Sequence, residues 1–275
     1  MKRRIAIKIG SNVLTRNDGK LDITRMSSLV DQIADLHRQG IEILLISSGA
    51  VASGKSEINI GKQLDAVSSR QLYSAIGQAK LINRYYDLFR EQGICCGQVL
   101  TTKESFSTRT QYLMQKHCME VMLNHHVIPI VNENDTISVT ELMFTDNDEL
   151  SGLIATMMNA DTLIILSNVN GIYTGNPADP NSQLLSQITP GQQDLEAYIQ
   201  SGKSSFGRGG MLTKCKIACQ VAEEGIEVII ANGKRDNILN LILHQPEKTL
   251  CTRFVPGEKN VSNIKKWIAH SEDFA

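Results

Sequence analysis

Ile5-Ala6-Ile7-Lys8-Ile9-Gly10-Ser11 and Ile41-Glu42-Ile43-Leu44-Leu45-Ile46-Ser47-Ser48-Gly49-Ala50 are the stretches on which the fold is read. Each is a short aliphatic run that ends in glycine and serine, and neither alternates strictly between apolar and polar residues. Strands that are apolar on both faces belong to a parallel sheet covered on both sides. Between them, Asp22 to Gln39 carries Met26, Leu29, Val30, Ile33 and Leu36 at helical spacing, with Gly40 as a stop.

The same rhythm continues outward. Helices are expected over Gln71 to Gln92, Thr108 to about His126, Asn147–Asn159 and Met211–Glu224. Strands are expected over Ile94–Leu100, Val127–Val131, Thr162–Leu166 and Ile226–Ala231, and Thr136–Thr145 alternates as a hairpin would. Alternating β and α segments of this kind predict an α/β fold, a mainly parallel sheet with helices on both faces. Thr174–Pro190, with Gly175, Pro177 and Pro180, reads as a surface excursion within one unit or the seam between two lobes.

The 275 residues are 41% hydrophobic and 21% charged, ordinary globular composition that excludes extensive disorder. Lys+Arg is 28 and Asp+Glu 29, a formal net charge of -1, so no overall basic footprint for nucleic acid or an anionic membrane is present. The apolar stretch after Met1-Lys2-Arg3-Arg4 is broken by Lys8 and ends at Gly10, too short for a signal-peptide core or a membrane span. Six cysteines (95, 96, 118, 215, 219, 251) form no CxxC pair, and buried thiols in a reduced, cytoplasmic compartment are the expectation.

In open α/β sheets, ligands bind beyond the carboxyl ends of the strands. Four such ends carry small polar residues: Gly10-Ser11-Asn12, Ser47-Ser48-Gly49-Ala50, Asn132-Glu133-Asn134-Asp135 and Ser167-Asn168. Any one could be a turn or cap; four at one end of a sheet favour a small polar ligand. Gly49 to Ser56 also matches GxxxxGK[ST] at every specified position. A phosphate cradle of that type needs a helix starting at its Gly-Lys. The residues after Lys55 open a helix poorly, and no acid ends the best nearby strand, so that reading is rejected.

A different phosphoryl-transfer constellation is present. Lys8 lies inside an apolar strand, where a charge is costly unless paired or used, and it precedes Gly10. Far away, the Gly207-Arg208-Gly209-Gly210 run leads into a helix whose first turn carries Lys214. Two lysines beside two glycine turns suit a polyphosphate clamp. Asp148 in Asp146-Asn147-Asp148 could cap a helix, or pair with both lysines. The six histidines fall in helical or surface-looking stretches and none is assigned to catalysis.

Lys8-Ile9-Gly10-Ser11, Ser47 to Val51, Pro129 to Asp135, Asp146-Asn147-Asp148, Gly171 to Thr174 and Gly209-Gly210-Met211-Leu212-Thr213-Lys214 together resemble the glutamate 5-kinase family of the amino acid kinase superfamily. The resemblance runs from about Ile5 to Ile268. It implies a three-layer αβα sandwich in a single domain over 1–275, with about 1–160 mainly binding glutamate and about 161–270 mainly binding ATP. It implies transfer of phosphate from ATP, with Mg²⁺, to L-glutamate, the first step of proline biosynthesis. Lys8 and Lys214 would stabilise the moving phosphoryl group and Asp148 would orient them. Ser48, Asp135 and Asn147 would hold glutamate, with Gly49 and Ala50 offering backbone groups and Asn134 adjacent. Lys8, Gly10, Ser167, Asn168 and Arg208 through Lys214 (Arg208, Gly209, Gly210, Met211, Leu212, Thr213) would line the ATP site.

Two positions depart from the family pattern, Asn168 where Asp is common and Thr145 where Gly is usual. The resemblance is to the short form without a C-terminal PUA domain. It further implies a dimer or tetramer, feedback binding of proline and hand-off to glutamyl phosphate reductase, with no nucleic acid or membrane partner. Other kinases of the superfamily, such as one acting on acetylglutamate, and a non-catalytic amino-acid sensor are the alternatives.

Overall fold

The computed structural model describes residues 2–60, 64–138, 144, 147–189, 191 and 210–258. Among these residues eight strands form one continuous sheet: β1 (Arg4–Ile9), β2 (Glu42–Ser47), β3 (Cys95–Thr101), β4 (Val127–Glu133), β5 (Thr162–Ser167), β6 (Gln187–Ile188), β7 (Glu227–Asn232) and β8 (Cys251–Phe254). Their order is β3-β4-β2-β1-β5-β7-β8-β6. Every pairing is parallel except β7 with β8.

Nine α-helices lie among the described residues: α1 (Ser11–Leu14), α2 (Ile23–Arg38), α3 (Ala50–Lys55), α4 (Ala66–Glu91), α5 (Glu104–Ser107), α6 (Arg109–Asn124), α7 (Asn147–Met157), α8 (Met211–Glu223) and α9 (Ile238–His244). The expected α/β sandwich is present. None of these helices is long and apolar enough to cross a membrane.

Strand periodicity of two sorts the core into two apolar layers. Ile5, Ile7 and Ile9 of β1 and Ile43 and Leu45 of β2 face α2, α4 and α9, against Leu29, Ile33, Tyr85, Phe89 and Leu239. Ala6, Leu44 and Ile46 face the other way, against Met119, Leu150, Ile154 and Val221 of α6, α7 and α8. Lys8 shares the parity of Ala6, so its side chain leaves β1 on the α7–α8 side. That single alternation decides which helices can reach its ammonium group.

The helix α4 begins earlier than its apolar spacing predicts. Asp65 caps it, accepting from the Val67 and Ser68 amides, and its first turns are polar because they face a site. The excursion Thr174–Pro190 returns to the sheet, through a bridge between Tyr173 and Leu184 and through β6. The strand β8 and helix α9 lack a sequence signal as strong as the others. The hairpin expected over Thr136–Thr145 falls mostly outside the described residues; Asp135 to Ile137 is a turn. The expectation of buried thiols holds for Cys215 and Cys251 and needs correction for the other four: Cys95 and Cys118 are exposed, and Cys96 and Cys219 are partly exposed. Cys95 lies on β3, which among the described residues is an edge strand of the sheet.

Candidate active site

Strand order reverses between β1 and β5, and that crevice is where the described residues bring charge together. Gly10 follows β1, and its amide donates to the Leu166 carbonyl of β5 at 3.1 Å. A Cβ on Gly10 would lie 3.1 Å from that oxygen and 3.5 Å from Lys8 Nζ. Glycine here therefore leaves room both for the strand junction and for the lysine head.

Lys8 Nζ lies 2.6 Å from Asp148 Oδ1, and Lys214 Nζ lies 2.8 Å from Asp148 Oδ2. One carboxylate thus bridges two ammonium groups that are 206 positions apart in the chain. Asp148 is 1% exposed and Lys8 5%. Burial alone would raise the Asp148 pKa, but the adjoining Lys8 and Lys214 charges outweigh it and hold the carboxyl below the ordinary range. Asp148 sits in the first turn of α7, where the helix dipole also favours an anion. Gly152, one turn on, lets α8 approach: a Cβ there would meet Val221 and Ile217 at 3.0 and 3.1 Å. That close packing carries Lys214 to Asp148.

Beside this triad lies a polar network. Ser48, after β2, leads into Gly49, whose φ of 103° places it in the left-handed region that favours glycine. The Asn147 side-chain amide donates to the Ser47 carbonyl, to Ser48 Oγ and to Asn132 Oδ1, each at 3.0 Å. Asn132 Nδ2 donates in turn to Gln78 Oε1 at 2.8 Å. Ala50 opens α3, which packs on α4 backbone to backbone. A Cβ on Gly77 would fall 1.7 Å from the Ala50 oxygen, and one on Gly54 would fall 1.8 Å from the Tyr73 oxygen. The helix α4 thereby fixes the Ser48-Gly49-Ala50 turn.

Asp135 is brought to the same strand end and is buried, and Arg70 of α4 donates to it from Nε at 2.6 Å. Asn134 is engaged locally: its amide donates to the Thr101 carbonyl and its Oδ1 accepts from the Thr136 hydroxyl. Ser167 and Asn168 lie at the end of β5, with Ser167 Oγ 3.4 Å from Asn168 Oδ1. Gly210 caps α8 without a side-chain bond, and Met211, Leu212 and Thr213 form its first turn with Lys214. Arg208 and Gly209 lie outside the described residues.

Sequence reading missed Arg70 and Gln78, which with buried Ser74 make a polar stripe spaced four residues apart on α4. Isolated polar residues on a long helix look like a solvated face; the four-residue period was the available signal. It also missed Asn170 and Asn232, joined by a 3.3 Å hydrogen bond beyond β5 and β7. The rejected phosphate-loop reading of Gly49–Ser56 stays rejected. Lys55 ends α3 instead of opening a helix, and its Nζ stands 5.7 Å from the Tyr73 ring centroid.

Comparison with known proteins agrees with this geometry. The Amino acid kinase family model matches residues 3–232. The chain is 70% identical to the glutamate 5-kinase of Bacteroides thetaiotaomicron, over 99% of this chain and 75% of that protein. It is 46% identical to the glutamate 5-kinase of Chlorobaculum tepidum, over 98% of this chain and 73% of that protein. The solved structure of a carbamate kinase from Giardia lamblia bound to AMP-PNP shares the fold, with a TM-score of 0.64 at 17% identity, covering 93% of this chain and 99% of that one. The chain therefore belongs to the amino acid kinase family and groups there with the glutamate 5-kinases.

Proposed function

We propose that this chain phosphorylates the γ-carboxylate of L-glutamate with ATP, giving L-glutamyl 5-phosphate and ADP, the opening reaction of proline biosynthesis. The observation that carries the mechanism is the Lys8–Asp148–Lys214 bridge in the crevice between β1 and β5. A glutamate γ-carboxyl with an ordinary pKa of about 4.3 is already ionised at neutral pH. The nucleophile therefore needs no general base. The obstacle is repulsion between one anion and another, and preorganised cations reduce it.

One carboxylate oxygen attacks the γ-phosphorus, and the bond between phosphorus and the β–γ bridging oxygen breaks. The electron pair leaves with ADP. Lys8 and Lys214, held by Asp148, stabilise the charge spread over the transferred group. The triad carries two positive charges and one negative, so a surplus cation faces the triphosphate. The first-turn amides of α8 offer backbone donors to the phosphates, and Gly10, lacking a Cβ, lets them approach beside Lys8. Ser167 and Asn168 border the nucleotide end.

Glutamate lies toward Ser48, Gly49, Ala50 and Asn147, with its ammonium group toward Asp135. Substrate contacts thus come from residues before about 160 and nucleotide contacts mainly from residues after it, Lys8 and Gly10 excepted. Mg²⁺ enters as part of the MgATP substrate. Such a metal is carried mainly by phosphates and water and calls for few protein ligands. Proline as a feedback ligand, assembly as a dimer or tetramer, and transfer of the acyl phosphate to a reductase complete this reading. Proline titration of the activity and light scattering test the first two.

The experiment is an ATP assay over a panel of acidic amino acids, with hydroxylamine trapping of the acyl phosphate. Glutamate-dependent hydroxamate is expected. Faster turnover of N-acetylglutamate would shift the assignment to another member of the superfamily, and ADP release indifferent to every amino acid would point to a sensor.

A further inference from the structure

We propose that Arg70 is the positioning residue of the ammonium-binding end of the substrate subsite, setting both the geometry of Asp135 and the charge balance around it. The inference rests on the glutamate reading above and adds to it a residue from α4 that no motif contains.

Arg70 faces two buried carboxylates. Its Nε and Nη2 lie 2.6 and 2.5 Å from Asp135 Oδ1, and Nη2 lies 2.7 Å from Glu133 Oε2. The other Glu133 oxygen accepts the Phe144 amide at 3.0 Å. Both acids are more than nine-tenths buried. One guanidinium against two ionised carboxylates leaves a net charge of -1, with both acids buried and Arg70 at the partly exposed edge of the site. A group of unit positive charge is what such a site takes. The contacts of Asp135 among the described residues fall on Oδ1, which leaves Oδ2 for that cation.

Arg70 also supplies the charge that favours the ionised form of both acids. The titratable or charged groups bearing on Glu133 are Asp135 and Arg70, and the Phe144 amide and the Ser138 hydroxyl complete its surroundings. Burial first, and then Asp135, push the Glu133 carboxyl up to about 7, against the pull of Arg70. Burial likewise raises Asp135, and Arg70 opposes it. Without the guanidinium the proton on the acid pair would be held to higher pH, and Asp135 would lose the bonds that aim its second oxygen. Removal of Glu133 as well would return the site to a single negative charge. A residue needed only for packing has no reason to show that compensation.

The test compares wild type with Arg70→Gln, Arg70→Lys, Glu133→Gln and the Arg70→Gln/Glu133→Gln double variant. KM for glutamate, KM for ATP and kcat are measured between about pH 6.5 and about pH 8.5. Arg70→Gln is expected to raise the glutamate KM roughly 30-fold or more, with the ATP KM within about twofold of wild type. That raised KM should fall as pH rises and the shared proton leaves. Arg70→Lys should recover most of the affinity, because it keeps the charge. The double variant should have a lower glutamate KM than Arg70→Gln and a flatter pH profile. An Arg70→Gln enzyme with unchanged glutamate KM, or Glu133→Gln adding to its defect, overturns the inference. If Arg70→Gln binds no nucleotide and so has not folded, Glu133→Gln decides. It should raise the glutamate KM and flatten its pH dependence around neutrality, and an unaltered profile refutes the proposal. Wild type inactive on every acidic amino acid would overturn the underlying function instead.

Discussion

Asp148→Asn is the substitution that bears most directly on the chemistry. It keeps the shape of the side chain and removes the charge that joins Lys8 to Lys214. Contacts of 2.6 and 2.8 Å hold the two ammonium groups on the two oxygens of one carboxylate, and two unit charges on the order of 6 Å apart repel by roughly 3 kcal/mol at an effective dielectric near 20. Breaking a buried ion pair by removing one partner costs roughly 3–5 kcal/mol. A stability loss of about 3 kcal/mol lowers Tm by roughly 10 °C in a chain of this size. Misaligned cations should lower kcat roughly 100-fold or more.

Heating curves with and without a non-hydrolysable ATP analogue provide the decisive assay. Polyphosphate supplies the missing negative charge, so the analogue should raise the Tm of the Asn variant more than that of wild type. The acid limb gives a further check. The folded pKa of Asp148 is depressed, so its contribution is fully present above the unfolded value and is lost as pH falls through the lower folded one. The variant should lack that loss. Equal stabilisation of both proteins by the analogue, or a kcat within about fivefold of wild type, would refute the bridging role.

Lys8→Ala should abolish turnover, whereas Lys55→Ala should leave it nearly intact; loss of ATP binding in the Lys55 variant alone would reinstate the phosphate-loop reading. Gly77→Ala forces a Cβ to within 1.7 Å of the Ala50 oxygen, so α3 must shift, and thermal unfolding should show a loss of roughly 1–3 kcal/mol or more together with a raised glutamate KM. Glu133 has its pKa raised to about 7, so the folded state holds a proton that the unfolded chain gives up at lower pH. Wild type should therefore lose stability as pH rises from about 5 to about 7, and urea titrations of Glu133→Gln should lack that slope.

The layer architecture was legible because it is written in local periodicity. Two-sided aliphatic strands such as Ile41–Ser47 and the apolar spacing of Asp22 to Gln39 need no knowledge of distant residues. The strand-end rule then placed Gly10, Ser48, Asn132 to Asp135 and Ser167 at one edge. The parity of β1 could have shown that Lys8 leaves the sheet opposite Ile7 and Ile9. Which helix it meets could not be read that way.

That second question is non-local. Asp148 was one candidate partner among 29 acids, and only the packing of α7 on α8 at Gly152 brings Lys214 to its other oxygen. Arg70 and Gln78 carried no motif, because their partners lie more than 50 residues away and an arginine on a helix reads equally well as a solvated one. Sequence by itself determined the strands, the helices and the cations available for phosphoryl transfer, since each follows from residue type and short-range spacing. Tertiary structure alone decided the pairings, because an ion pair in a dry interior depends on ångström distances between elements that the chain order leaves open.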